Sequence, residues 1–260
     1  MTGTFDVLNK NELNILLVNA RSLRPKLYSL IDTMQELDGH IALLTETWFH
    51  QDRQLDITLE DMKNALGYDC IRRDRTDGRE GGGVAIFYKM GDLQLQQIKV
   101  ETEFEIVAAI DRRTGQRRKM VVLTIYITPS LEAEGSDKAL EELAALIGRF
   151  KSKYQSPYFL IGGDFNKRNV VRELRPYTDI SLIQTPPTRG NNTLDLVFTN
   201  FDEHVTRAGV TDPIHNLQGT ETDHFTVFVN TKVPRVPAYQ IETYTYLRQL
   251  RRVMQNLNNI

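Results

Sequence analysis

The sequence is poor in cysteine: Cys70 is the single one among 260 residues. No intrachain disulfide can form, and a reducing compartment is the expected home. It also lacks an excess of either charge, since 32 basic and 34 acidic side chains leave a net charge of −2. Such a balance does not announce a strongly basic nucleic-acid binder, although a local basic face is compatible with it. No apolar run approaches the roughly 18 residues of a membrane span, and the polar N-terminal stretch does not read as a secretory signal. CxxC, HExxH and GxxxxGK[ST] are all missing. The run Gly81-Gly82-Gly83 precedes a strand, so it is a poor dinucleotide fingerprint and reads as a flexible lead-in. Internal repeats and low-complexity segments are absent as well.

What is present reads as a mixture of strands and helices. "LNILLV" (Leu13–Val18) is a short apolar run that reads as a buried strand. Pro25 suits the first turn of a following helix, whose stripe is Leu27, Leu30, Ile31, Met34 and Leu37. Asp38-Gly39 ends that helix and "HIALLTE" (His40–Glu46) is a second strand, so a right-handed parallel crossover is expected. The middle of the chain, "GGGVAIFYK", "LQLQQIKV", "EFEIVAAID" and "KMVVLTIYI", reads most simply as an antiparallel meander. "DRRTGQRRK" joins the last two as a polar hairpin. Ser136–Phe150 is a second amphipathic helix, with Leu140, Leu143, Ala144, Ile147 and Phe150 on one face. "YFLIGG", "TLDLVF", "HVTRAGV" and "DHFTVFVN" follow as strands. About ten strands and two helices are satisfied by two sheets packed together with helices outside.

Polar side chains collect at the strand ends. Asn19 and Glu46 close the first two strands, Tyr126 lies near the end of "VVLTIY", and Asp164 and Asn166 follow "YFLIGG". Asp195 sits in "TLDLVF", and Asp223-His224 begin "DHFTVFVN". Each has a plainer reading as a turn residue, a solvated acid or a local pair. Together they supply one reaction. Glu46, Asp223 and Asn19 offer hard oxygen ligands suited to Mg²⁺ or Mn²⁺. Asp164 could orient or deprotonate a water, Asn166 could donate to an anionic oxygen, and His224 could stabilise charge at a phosphoryl centre. Asp195 is the best candidate for the carboxylate that fixes the histidine tautomer. Gly162 and Gly163 are expected where side chains would crowd a cleft, and an extended backbone past them would point Asp164 and Asn166 the same way with Phe165 turned inward.

The ordered set "LNILLVNARSL", "LLTETW", "GGGVAIFYK", "LIGGDFN", "NTLDLVFTN" and "TDHFTV" resembles the endonuclease domain of non-LTR (LINE-type) retrotransposons, within the endonuclease/exonuclease/phosphatase superfamily. The resemblance spans Leu13 to Asn230, and "NARSL", "TETW" and "LDLVFTN" are its retroelement-like forms. It implies an α/β, DNase I-like fold: a four-layer sandwich of two mixed β-sheets packed face to face with helices outside. It implies metal-dependent hydrolysis of a DNA phosphodiester, leaving a 3′-hydroxyl that primes reverse transcription. By the same resemblance Glu46 is the principal metal ligand with Asn19 beside it, Asp223 closes the site, and Mg²⁺ is the cofactor with Mn²⁺ as substitute. Tyr126 contacts the scissile phosphate, Asp164 activates water, Asn166 binds phosphate, and Asp195 orients His224. Three departures stand out. Thr222 replaces a serine but keeps a hydroxyl, Arg21 stands where some relatives carry a second acid or amide, and "YITPS" replaces a stretch like "YRPP".

Double-stranded DNA is the expected partner. Arg72 and Arg73, on "RRDRTDGR", are the preferred phosphate contacts, and "TPPTRGNNTLD" places Thr188, Arg189 and Asn191 on the loop that the family uses near DNA, with Arg189 suited to a minor groove. Residues 1–232 form the endonuclease domain. Residues 233–260, a Pro-containing linker and a helical stripe, read as a helix that packs back on the domain or, the preferred expectation, as a lead towards a reverse transcriptase region of the same polyprotein, a second expected partner. The nucleus is the expected site of action and no membrane is involved. The rival readings are an abasic-site repair endonuclease, a phosphatase for small ligands, and a non-catalytic nucleic-acid-binding module. The last has no need of the full set of site residues.

Overall fold

The computed structural model describes residues 12–50, 53–75, 81–113, 118–130, 137–166, 170–174 and 179–232. The linker and helical stripe of 233–260, and the tip of the 112–119 hairpin, lie outside the described residues.

Alternation of apolar side chains builds the layers. In β1 (Leu13–Asn19), Ile15 and Leu17 face a central core while Leu16 and Val18 face outwards. A 3₁₀ turn with Pro25 in its first positions leads into α1 (Leu27–Glu36), which buries Leu27, Leu30, Ile31 and Met34. β2 (Ile41–Thr45) then pairs parallel to β1, as the crossover requires. α2 (Arg53–Leu66), β3 (Tyr68–Arg73) and β4 (Val84–Lys89) follow. β5 (Leu95–Ile98), β6 (Glu105–Asp111) and β7 (Met120–Tyr126) are antiparallel neighbours. α3 (Asp137–Lys153) crosses over to β8 (Tyr158–Asp164), parallel to β7. α4 (Val170–Leu174), β9 (Ser181–Ile183), β10 (Asp195–Thr199), β11 (Val205–Thr211) and β12 (Thr226–Thr231) complete the domain.

The strands form two six-stranded mixed sheets, β11-β12-β1-β2-β4-β3 and β5-β6-β7-β8-β10-β9. Their inner faces share one core, in which Ile15, Leu43 and Ile86 meet Val107, Val122 and Leu160. α1 and α2 cover the outer face of the first sheet and α3 that of the second. The result is the four-layer, DNase I-like sandwich. The path β-α-β-α-β-β is walked twice, giving the order β1-β2-β4-β3 in one sheet and β7-β8-β10-β9 in the other. What the halves share is a burial pattern, which leaves no repeat visible in the residues.

Two expectations are corrected. The middle strands are not one meander: β4 joins β2 and β3 in the first sheet, and β5 to β7 open the second. α2 is an additional helix, held by the narrow stripe of Leu55, Leu59, Met62 and Leu66. Among the described residues, no helix is long and apolar enough to cross a membrane.

Candidate active site

The parallel strands β1 and β2 end side by side, with Asn19 opposite Thr45. Just beyond, Arg21, Ser22, Glu46 and Trp48 all take the left-handed conformation, with φ of 39°, 72°, 50° and 53°. Such residues cost on the order of 1 kcal/mol or more each and persist only when their surroundings over-determine them. Here the two loops are knitted together: Ser22 N–H donates to Glu46 O at 3.0 Å and Leu23 N–H to Thr47 O at 3.0 Å. Trp48 N–H donates to Gly82 O at 2.9 Å and Thr47 N–H to Gly83 O at 3.2 Å. The buried Lys26 ammonium donates to three successive carbonyls, Ala20, Arg21 and Ser22, at 3.1, 2.7 and 3.1 Å. Burial, and then the neighbouring Arg21 charge, pull its pKa down. Thr222 Oγ1 donates to Asn19 O at 2.9 Å, so the hydroxyl kept by this substitution anchors the end of β1.

The second sheet delivers its residues from β7, β8 and β10, whose register sets Tyr126 beside Asp164 and Asp164 beside Asp195. Three side-chain hydrogen bonds then cross between the sheets. Asn19 Nδ2 donates to Asp164 Oδ2 at 2.8 Å and also to Glu46 Oε1 at 3.2 Å. Tyr126 O–H donates to Glu46 Oε1 at 3.1 Å. His224 Nδ1–H donates to Asp195 Oδ2 at 2.7 Å, both groups being buried. The carboxylate fixes the tautomer and leaves Nε2 of His224, a cavity-lining residue, without a bond to Asp195.

Electrostatics follow from this burial. Asp164 is pushed up to about 7, first by desolvation and then by the Asp195 charge, against His224, the Asn166 N–H and Asn19. Burial alone would lower His224, but the hydrogen bond and charge of Asp195, helped by Asp164 and Asp223, hold it above its ordinary value. Tyr126 is raised by burial and by Glu46, so its hydroxyl keeps its proton. A cavity of about 400 Å³ opens over Glu46, Tyr126 and His224.

The other expected residues are placed as follows. Asp223 lines the cavity, paired to Arg21 at 3.2 Å and Arg189 at 2.6 Å. Asn166 has φ 49°, so the extended backbone stops at Asp164; its Nδ2 donates to Ile127 O at 3.0 Å and it does not line the cavity. Phe165 is buried against Phe198, as its inward turn requires. Thr188 is fully buried, accepting from the N–H groups of Leu194 and Asp195 at 3.1 and 3.2 Å, so it supports the hairpin from inside and presents no surface to DNA. Asn191 is exposed at the hairpin tip, and Arg189 turns back to Asp223. Arg72 is engaged by Asp56 at 2.7 Å and Asp74 at 3.4 Å, Arg73 by Thr102 and Ile106 O at 3.4 Å, and neither lines the cavity. Their neighbour Arg75 does, ion-paired with Glu105. The glycines also have a different reason. A Cβ on Gly162 would meet Leu43 Cδ1 at 2.5 Å and one on Gly163 would meet Ile125 O at 1.9 Å, so both face protein and not the cleft.

Sequence reasoning passed over Trp48, Glu105 and Lys26, and named Arg75 only as one of the arginines of "RRDRTDGR". Trp48 Nε1–H donates to Glu46 Oε2 at 3.3 Å, and the Glu105 carboxylate accepts from Gly83 N–H as well as from Arg75. The single tryptophan, directly after the acid of "TET", was the available signal for the first. Gly81, Gly82 and Gly83 have φ of 83°, 72° and 84°, and this left-handed floor supports Trp48.

The donor set fits a hard divalent cation at Glu46. Its two oxygens take three neutral donors, Asn19, Tyr126 and Trp48, and among the described residues no ion pair is formed to it. A carboxylate that meets only neutral donors at a cavity wall is what an oxygen-seeking cation needs. Asn19 turns its amide nitrogen to the carboxylates while its Oδ1 accepts from Arg21 N–H at 3.2 Å. Asp164, Asp195 and His224 also lie within 4.8 Å of one another, but the Asp195–His224 bond already engages two of them.

Comparison with known proteins bears on this geometry. The profile of the Endonuclease/Exonuclease/phosphatase family matches residues 13–224. No curated protein gave a significant match. Among solved structures, the chain is similar to an AP endonuclease from Leishmania major, with 13% identity over 86% of this chain and 88% of that one, at a TM-score of 0.67. It is similar to the endonuclease domain of TRAS1, a telomere-specific non-LTR retrotransposon, with 17% identity over 85% and 98% of the chains, at 0.59. It is also similar to D. rerio TDP2 complexed with a single-strand DNA product, with 13% identity over 84% and 98%, at 0.60. At these identities the likeness is one of fold.

Proposed function

We propose that this chain, which belongs to the endonuclease/exonuclease/phosphatase family, is a metal-dependent endonuclease that nicks duplex DNA by phosphodiester hydrolysis. The observation that carries the reading is the convergence of Glu46, Tyr126 and His224 from both sheets on one cavity, tied by hydrogen bonds of 2.7–3.2 Å to Asn19, Asp164 and Asp195 buried behind its wall. In this reading Asp164, buried and raised, orients the attacking water and takes its proton. His224, locked by Asp195 through Nδ1, directs Nε2 at the phosphoryl oxygens and stabilises their charge. Tyr126 adds a neutral O–H donor. Asn19 spaces Glu46 from Asp164, and Asn166 holds the β8 end to Ile127. Glu46 would hold the cation, which when bound supplies Lewis-acid stabilisation of charge on the phosphate. Asp223, already engaged by two arginines, is less suited to that task.

The finer reading is a retrotransposon endonuclease whose nick leaves a 3′-hydroxyl for reverse transcription, acting in the nucleus beside a reverse transcriptase region. The forms "NARSL", "TETW" and "LDLVFTN" support it. The test uses supercoiled plasmid and an abasic-site duplex, each with Mg²⁺ or EDTA, alongside Asp164→Ala and His224→Ala. The expected result is Mg²⁺-dependent nicking of intact plasmid, lost in both variants, with ends that a DNA polymerase extends directly. Cleavage of the abasic duplex alone would assign the protein to repair, and nicking that survives both substitutions would remove the proposed centre.

A further inference from the structure

The Asp223 carboxylate holds two guanidiniums on one oxygen. Arg21 Nη1 lies 3.2 Å and Arg189 Nη2 2.6 Å from the same Oδ2. Burial works to raise this acid, but the charges of Arg189, His224 and Arg21 prevail and hold it low. Both arginines line the cavity and are about half exposed, at 56% and 47% of the side chain.

Each arginine is delivered by a dedicated piece of backbone. Arg21 sits in the left-handed segment clamped by Lys26. Arg189 closes a two-residue hairpin through reciprocal bonds with Asn192 of 3.0 and 2.9 Å, on a base fixed by buried Thr188. The three groups carry a net charge of +1, whereas the other ion pair at the cavity, Arg75 with Glu105, is balanced. One carboxylate oxygen shared by two guanidiniums is a poor match for their donors. A phosphodiester, with two non-bridging oxygens, gives one to each.

We infer that Arg21 and Arg189 together form a subsite for one backbone phosphate of the DNA strand, beside the phosphate that is cleaved, and that Asp223 occupies this subsite in the free protein as an internal stand-in. The inference rests on the endonuclease reading. Binding of a fluorescent duplex spanning a mapped nick position is measured by anisotropy in EDTA, across a salt series. The double variant Arg21→Gln/Arg189→Gln is expected to lower the slope of log K against log salt by about 0.9, the contribution of one phosphate. The Lys/Lys double variant is expected to restore it. A neutral methylphosphonate at one linkage next to the nick should lower the wild-type slope by the same amount and leave the Gln/Gln variant unaffected. Asp223→Asn should bind more tightly than wild type, because the competing charge is gone.

An unchanged slope, or a fall of twice that size from two separate phosphates, overturns the shared subsite. Weaker binding by Asp223→Asn overturns the stand-in. Failure of the endonuclease reading looks different: the wild type does not nick plasmid in Mg²⁺, whatever its salt slope. A wild type that does not bind duplex at all overturns both.

Discussion

A methyl group at position 163 has no room. The Cβ of Gly163→Ala would lie 1.9 Å from Ile125 O, 2.7 Å from its carbonyl carbon and 3.0 Å from its nitrogen, all backbone atoms of the neighbouring strand. Real Cβ contacts essentially never fall below 3.0 Å, so β7 and β8 would have to part by about 1 Å. These strands are paired in parallel from Met120↔Tyr158 to Tyr126↔Asp164, and Ile127 N–H donates to Asp164 O at 3.0 Å. Overpacking costs about 1–3 kcal/mol, and each ladder bond stretched beside it about 1 kcal/mol, so a loss of roughly 3 kcal/mol or more is expected. Gly162→Ala meets the end of the Leu43 side chain at 2.5 Å, which can turn aside, and about 1–2 kcal/mol is expected. Gly148→Ala, exposed on α3 with nothing within 4 Å, should stabilise by about 1 kcal/mol. Urea denaturation followed by circular dichroism would rank the three. If Gly163→Ala proved no less stable than Gly162→Ala, that result would falsify the reasoning, because the clash would then be with something that yields.

Asp195→Asn should cut the nicking rate roughly 10²–10⁴-fold in single-turnover assays, since the carboxylate that orders and charges His224 is gone; a loss under tenfold would show that the histidine needs no such partner. Thr222→Val removes the donor to Asn19 O and should cost about 1–2 kcal/mol in urea denaturation, with Thr222→Ser close to wild type; equal stability of the valine variant would refute the anchoring role. Lys26→Met strands three carbonyls around left-handed Arg21 and Ser22 and should cost about 3 kcal/mol; an unchanged thermal midpoint would mean the segment is held without the ammonium. Exchanging Gly190-Asn191 for another two-residue turn should shift the nicked sequences while plasmid nicking persists; an identical cleavage map would take the hairpin tip out of target choice.

The parts of the fold legible in the residues are those where burial writes its own pattern. β1 and β2 carry the apolar runs 15–18 and 41–44, and α3 repeats Leu140, Leu143, Ile147 and Phe150 along a single stripe. α2 buries too narrow a stripe to stand out among Asp56, Glu60 and Asp61. Sheet membership is illegible for another reason: β4 pairs with β2 across about forty residues, and nothing local says that it does not pair with β5. The site divides in the same way. Acids, amide, tyrosine and histidine at strand ends could be named from their positions. Whether each meets solvent, metal or a neighbour is settled by residues far along the chain, as when Asp223 finds Arg21, or Arg72 finds Asp56.

The three bonds that cross between the sheets also make the protein a conjunction. β5 to β10 run consecutively through the second sheet, and the first is assembled from segments on both sides of them. Each sheet alone carries one member of every pair: Asn19 without Asp164, Glu46 without Tyr126, His224 without Asp195. The proposed centre, distributed in this way, has no partial form. If the sheets were made as separate polypeptides, chemistry would report only their meeting, which is the property wanted of a split reporter.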